Sequence, residues 1–145
     1  MPELDIAYHT YGKLNADKDN VIWVFHALTA NSDAADWWEG LIGEGRLFDP
    51  KNHYIVCANM LGSCYGATNP NSINPETGKR YGRSFPNVTV RDMVRSHQIL
   101  CDYLGVEKIQ LGLGGSMGGQ QTVEWAIMEP ERFERVAIIA SNAQH

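Results

Sequence analysis

A mostly parallel α/β sheet follows from three features of this chain. Apolar runs of strand length recur along it, at residues 21–26, 53–58, 109–113 and 135–140. Between them lie segments whose apolar residues are spaced by three and four, as on one face of a helix. Strands alternating with helices select a parallel sheet with helical crossovers. The third feature is Gly114-Gly115-Ser116-Met117-Gly118, a G-x-S-x-G sequence lying between the third run and the next helical segment. That context puts a serine on a sharp strand-to-helix turn, with its hydroxyl at the top of the sheet and facing a helix N-terminus.

Each element has its own signal. Residues 4–8 alternate apolar and polar side chains and predict a half-buried strand. Residues 12–20 are polar and turn-like. The runs 21–26 and 53–58 are continuous, as in central strands covered on both faces. Thr89 is a candidate N-cap, with Asp92 three residues on as in a capping box. Val90, Met93, Val94, His97, Leu100, Cys101 and Leu104 then make one apolar helix face that ends at Gly105. His97 on that stripe reads as a core residue. After the serine turn a helix is predicted over 119–128, stopped by Pro130, with Val123, Ala126 and Ile127 as its buried side. The run 135–140 is expected as a fourth core strand. Residues 60–87 are rich in Gly, Pro, Asn and Ser. A connection this long is uncommon inside a compact domain and is usually functional. With Cys64, Tyr65, Ile73, Tyr81 and Phe85 as anchors, it predicts an ordered surface loop beside the active site.

Composition narrows the function classes. The chain has 145 residues, 43% hydrophobic and 20% charged, with a net charge of −5. That length supports one domain with a real core. The negative balance argues against a nucleic-acid surface, and no basic run suggests an anionic membrane. No apolar stretch reaches bilayer length, and residues 1–5 lack a signal-peptide pattern. The three cysteines match no common zinc spacing. Cys57 and Cys101 read as core thiols, and Cys64 is the one placed in a loop. A reducing, cytoplasmic setting is expected.

A serine hydroxyl needs a base to take its proton and an acid to orient that base. On a strand–serine–helix scaffold the chain order is Ser, then Asp or Glu, then His. Downstream of Ser116 the acids are Glu124, Glu129, Glu131 and Glu134, on the following helix or its exit turn. The histidine there is His145, the last residue. None is placed for the task, and His9, His26, His53 and His97 come in the wrong order. Residues 1–145 therefore read as the N-terminal part of a longer catalytic domain. The oxyanion machinery is legible. One backbone donor is expected from Met117, at the helix start, and one from the loop His26-Ala27-Leu28-Thr29 after an earlier strand. Each would contribute roughly 3 kcal/mol of transition-state stabilisation. In that loop His26 is expected to bond backbone groups and shape the turn. Trp37 and Trp38 fit either lining the pocket or packing.

Several motifs in order resemble one family. They are His26-Ala27-Leu28-Thr29, Trp37-Trp38, Leu61-Gly62-Ser63-Cys64-Tyr65-Gly66, Ser72-Ile73-Asn74-Pro75, Arg91-Asp92-Met93-Val94 and Gly114-Gly115-Ser116-Met117-Gly118-Gly119. The chain is similar over nearly its whole length to homoserine O-acetyltransferases, which have the α/β-hydrolase fold. The resemblance implies Ser116 as nucleophile and the Leu28 and Met117 backbone amides as the oxyanion hole. It implies acetyl-CoA as co-substrate, with no bound cofactor or metal, and L-homoserine as acceptor in methionine biosynthesis. The triad acid, the histidine and a helical lid that supports a homodimer would follow residue 145, so the 145-residue chain by itself is expected to be inactive. Ala30 stands where many relatives have Gly. Competing readings are a serine esterase on the same fold, a non-catalytic binding module, and succinyl-CoA in place of acetyl-CoA as donor.

Overall fold

The computed structural model describes residues 3–142. Its main sheet is built from β1 (Tyr8–Tyr11), β2 (Val21–Phe25), β3 (Tyr54–Ala58), β6 (Leu111–Gly115) and β7 (Val136–Ile139). The helices are α1 (Ala34–Trp37), α2 (Val90–Tyr103) and α3 (Met117–Met128). A small antiparallel hairpin, β4 (Ile73–Asn74) with β5 (Lys79–Arg80), lies within the long loop. Strand order is β1-β3-β2-β6-β7, and only β1 runs antiparallel to its neighbour. The chain steps outward from β2 to β3, then returns to β6 on the other side of β2. That reversal opens a crevice at the carboxyl ends of β2 and β6, where ligands bind in open α/β sheets.

The core has two layers because β2 alternates its side chains across the sheet. Val21, Trp23 and Phe25 face α2 and α3 and pack with Val56, Val94, Cys101, Ile109 and Trp125. Ile22 and Val24 face α1 and pack with Ala34, Ile42, Phe48, Ile55, Cys57 and Leu113. Trp125 meets Trp23 and Phe25 edge-on, with ring centroids 5.3 and 5.9 Å apart. The predicted capping box is present. Thr89 Oγ1 accepts from Asp92 N–H at 3.2 Å, and Asp92 Oδ2 accepts from Thr89 N–H at 3.0 Å.

Several boundaries and faces differ from expectation. The first strand begins at Tyr8, because residues 5–7 bond to the long loop instead: Thr68 N–H donates to the Asp5 carbonyl and Ala7 N–H to the Gly66 carbonyl. The 109–113 run shifts to Leu111–Gly115, because its glycines sit in the strand with neighbours pressed against them. Helix α3 starts at Met117 and buries Gly118, Gly119, Gln121, Thr122 and Trp125. Val123 and Ala126 are half-buried and Ile127 is exposed, so the apolar trio is not the buried side. The helix rests on its small residues because they let it approach the sheet, and Trp125 then fills the core. β7 lies at the sheet edge with Val136, Ile138 and Ile139 40–48% exposed, so it is not a core strand within the described residues.

His97 is fully inside this core. Trp23 Nε1–H donates to its Nδ1 at 3.2 Å, which leaves the proton on Nε2, 3.1 Å from Gln121 Oε1. Burial pushes its pKa down from 6.5 to about 4, against the opposing Gln121 hydrogen bond. A depressed histidine pKa means the unfolded chain takes up the proton first. Its stability contribution is then complete above pH 6.5 and lost as pH falls through 4. Urea unfolding should show stability falling over that interval by up to about 3 kcal/mol from this group. His97→Asn should flatten the slope, leaving the part due to His26, whose pKa burial also lowers.

Candidate active site

The register of the sheet brings the two predicted donor loops level. Phe25 pairs with Gly114, and Leu28 and Met117 each lie three residues further on. Ser116 stands between β6 and α3 with φ 54° and ψ −121°, in the left-handed half of backbone space. Such a conformation costs a residue with a β-carbon of order 1–3 kcal/mol and marks functional turns. Ser116 occupies the N-cap position of α3 yet makes no side-chain cap bond. Its hydroxyl has no hydrogen-bond partner among the described residues, and Ser116 is exposed at the mouth of the crevice.

The flanking glycines serve close approach rather than unusual dihedrals. A β-carbon on Gly118 would sit 2.1 Å from the Phe25 carbonyl oxygen, and one on Gly114 would sit 2.3 Å from the Gly118 carbonyl oxygen. These contacts hold the α3 N-terminus against the end of β2. The first N–H groups of a helix have no partner within it and carry its positive partial charge. Met117 N–H is one of these. The Leu28 N–H belongs to the turn closed by Ala30 N–H to the Ala27 carbonyl at 3.0 Å. Ala30 is not among the positive-φ residues, so alanine there costs no backbone strain.

Leu28 and Met117 share one cavity of about 380 Å³, walled also by Met60, Leu61, Phe85 and Met93. Residues 60–63 and 85–87 of the long loop border it, together with Val88. Of the loop's expected anchors only Tyr81 is buried, and Phe85 is half-buried. Cys64, Tyr65 and Ile73 are exposed. The loop is held instead by buried Met60, Leu61 and Ala67 and by the buried polar residues Ser63 and Thr68. A hollow of about 460 Å³ between residues 5–7 and 66–72 shares none of the site residues. Trp37 and Trp38, their ring centroids 5.0 Å apart and their planes tilted by 32°, pack on the α1 side of the core and do not line the 380 Å³ cavity.

No described histidine is hydrogen-bonded to Ser116. His26 Nδ1 lies 2.7 Å from the Ala27 carbonyl, which only accepts, so Nδ1 carries the proton and Nε2 accepts from Met60 N–H at 3.1 Å. With both nitrogens bound to backbone, His26 ties the ends of β2 and β3 together and is not a free base. Burial lowers its pKa, opposed by the Ala27 bond. His9 Nδ1 meets Ser32 Oγ at 2.9 Å, and His97 is in the core. His53 packs edge-on against Phe48, and its buried Nδ1 has no hydrogen-bond partner among the described residues. His145 lies outside the described residues. Cys57 and Cys101 are buried and Cys64 is exposed, all as free thiols. Among the described residues no three His, Cys, Asp or Glu side chains converge as a metal site. The arrangement supplies a free serine hydroxyl and two backbone donors beside an apolar cavity. Gly118→Ala should push α3 off the end of β2, lowering stability by about 1–3 kcal/mol in urea titration. It should also depress Ser116 reactivity by misplacing Met117.

The alpha/beta hydrolase fold family matches residues 20–145. A homoserine O-acetyltransferase of Chlorobaculum parvum is 55% identical over all of this chain and 41% of its own length. The crystal structure of homoserine O-acetyltransferase from Bacillus anthracis superposes with a TM-score of 0.92 at 32% identity, over 97% of this chain and 42% of that one. The acetyl esterase MekB superposes at 0.83 with 36% identity, over 100% of this chain and 41% of that one. The chain thus spans about two-fifths of the length of the relatives it matches. The strand order, the serine turn and these similarities agree: the chain belongs to the alpha/beta hydrolase fold family.

Proposed function

We propose that the complete protein is a homoserine O-acetyltransferase working through an acetyl-Ser116 intermediate. The observation that carries this reading is the uncommitted Ser116 hydroxyl beside the paired Leu28 and Met117 amides, in a chain 50–55% identical to proteins named for that activity. Ser116 Oγ attacks the thioester carbonyl of acetyl-CoA while a base takes its proton. The carbonyl oxygen gains negative charge and is held by the two N–H groups. The C–S bond then breaks and CoA leaves as its thiol. In the second half the L-homoserine hydroxyl attacks the acetyl-serine ester, giving O-acetyl-L-homoserine and free Ser116. Acetyl-CoA is a substrate here, and no resident cofactor or metal takes part. Acetyl is taken as the transferred group because the relatives that the chain resembles are named for it.

The proton-transferring histidine and its acid are assigned to parts of the protein beyond the described residues, because no described histidine is hydrogen-bonded to Ser116. The 145-residue chain alone should therefore show no transferase turnover. A cytoplasmic setting suits the three free thiols, and homodimer assembly through the family's lid region belongs to the same proposal. Among the described residues no helix is long and apolar enough to cross a membrane. The similarity to an acetyl esterase supports a second reading, in which water takes the acetyl group.

One assay separates the two. The complete protein is mixed with acetyl-CoA, with and without L-homoserine, while free CoA thiol and O-acetyl-L-homoserine are measured. Sustained CoA release should need homoserine and match product formation, and Ser116→Ala should lower it by at least about 10³-fold. Equal release without homoserine assigns a hydrolase, and a strong preference for succinyl-CoA overturns the choice of donor.

A further inference from the structure

β7 and the residues that follow it are tied to the serine turn and to the first turn of α3 by three hydrogen bonds. Ser116 N–H donates to the Ile139 carbonyl at 3.0 Å. Ser141 Oγ lies 2.7 Å from the Ser116 carbonyl oxygen, and since a carbonyl oxygen only accepts, the hydroxyl donates. Gln120 Nε2 donates to Asn142 Oδ1 at 3.4 Å.

The Ser141 contact is built at some cost. Ala140 adopts φ 48°, a left-handed conformation that residues with a β-carbon rarely take, and this turns Ser141 back toward the helix. Gly119 leaves the room. A β-carbon there would sit 2.5 Å from Ser141 Cβ and 2.7 Å from its Oγ. The Ser116 carbonyl already accepts from Gly119 N–H at 2.9 Å and Gln120 N–H at 3.3 Å, as the start of a helix provides. The helix does not need a third donor at that oxygen.

The oxyanion hole does gain from one. The Ser116 carbonyl and the Met117 N–H are the two ends of a single planar peptide with shared π electrons. A hydrogen bond at the oxygen draws density away from the nitrogen and makes its N–H a stronger donor. It also fixes the plane of the peptide, and with it the direction of the N–H. We propose that Ser141 is a positioning residue whose hydroxyl polarises and orients the Ser116–Met117 peptide for oxyanion stabilisation. This rests on reading Ser116 as the nucleophile and Met117 N–H as an oxyanion donor. A purely structural pin between β7 and α3 would affect stability without touching the acylation rate.

The test uses the complete protein and p-nitrophenyl acetate, whose p-nitrophenol burst reports serine acylation whichever natural acyl donor or acceptor the enzyme uses. Ser141→Ala, Ser141→Thr and Ser141→Val are compared with wild type, with Ser116→Ala as background and thermal unfolding measured alongside. Cooperative strengthening of 10–30% on a donor worth about 10²–10³ in rate predicts a loss of about two- to eightfold. Ser141→Ala should lower the saturating acylation rate by that factor with the half-saturating ester concentration unchanged. Ser141→Thr should stay close to wild type while Ser141→Val falls with the alanine variant. The Thr–Val pair keeps one shape and removes only the hydroxyl, so it reads the effect even if the alanine variant does not fold. Equal rates for Thr and Val, with a Ser116-dependent burst in wild type, overturn the proposal and leave the nucleophile standing. No Ser116-dependent p-nitrophenol release in wild type, in a burst or at steady state, removes the nucleophile, and the role of Ser141 with it.

Discussion

The close approach of α3 to the end of β2 is the constraint on which the site depends. With Gly118 set against the Phe25 carbonyl there is no room for a side chain between helix and strand. The strand that feeds α3 must then turn sharply, and Ser116 takes the left-handed conformation at the corner. The same turn prevents its hydroxyl from capping the helix, which is the ordinary fate of serine at that position. One packing decision thus produces a serine whose hydroxyl has no hydrogen-bond partner among the described residues. It also brings Met117 level with Leu28 across the crevice.

The rest of the core keeps that geometry in place. Trp125 anchors α3 against Trp23 and Phe25, while β2 is held from its other face by the α1 cluster. His97 links Trp23 to Gln121, whose amide lies 3.4 Å from the Met117 carbonyl. His26 fastens the loop carrying Leu28 to the end of β3. Buried, neutral histidines do structural work here, and their hydrogen bonds reach the backbone on either side of the crevice. Substitutions in this layer would act on reactivity through position, since none of these side chains lies at the Ser116 hydroxyl.

Much of this was legible in the sequence because strong periodicity and turn chemistry carried it. The continuous runs marked β2 and β3, Thr89 and Asp92 marked the start of α2, and the G-x-S-x-G pattern marked the corner. What stayed hidden has physical reasons. The face of α3 was misjudged because its contact surface is made of glycines and threonine, which hydropathy does not count, while Ile127 is exposed. In β7, Ala137 packs against the α1 cluster, while Val136, Ile138 and Ile139 are 40–48% exposed among the described residues. Residues 5–7 bond to the long loop through backbone groups, which no side-chain pattern announces. Ser141 could not be singled out, since its role arises from Ala140 turning back and Gly119 making space.

The account stands or falls on where the acyl group resides. The complete protein should be mixed with acetyl-CoA in the absence of acceptor, quenched in acid within the first turnover, digested, and its peptides sequenced by mass spectrometry. The account predicts one acetyl group per active subunit on Ser116, lost when L-homoserine is added before the quench. An acetyl group found on another residue such as Cys64, or no covalent adduct while turnover proceeds, would contradict it.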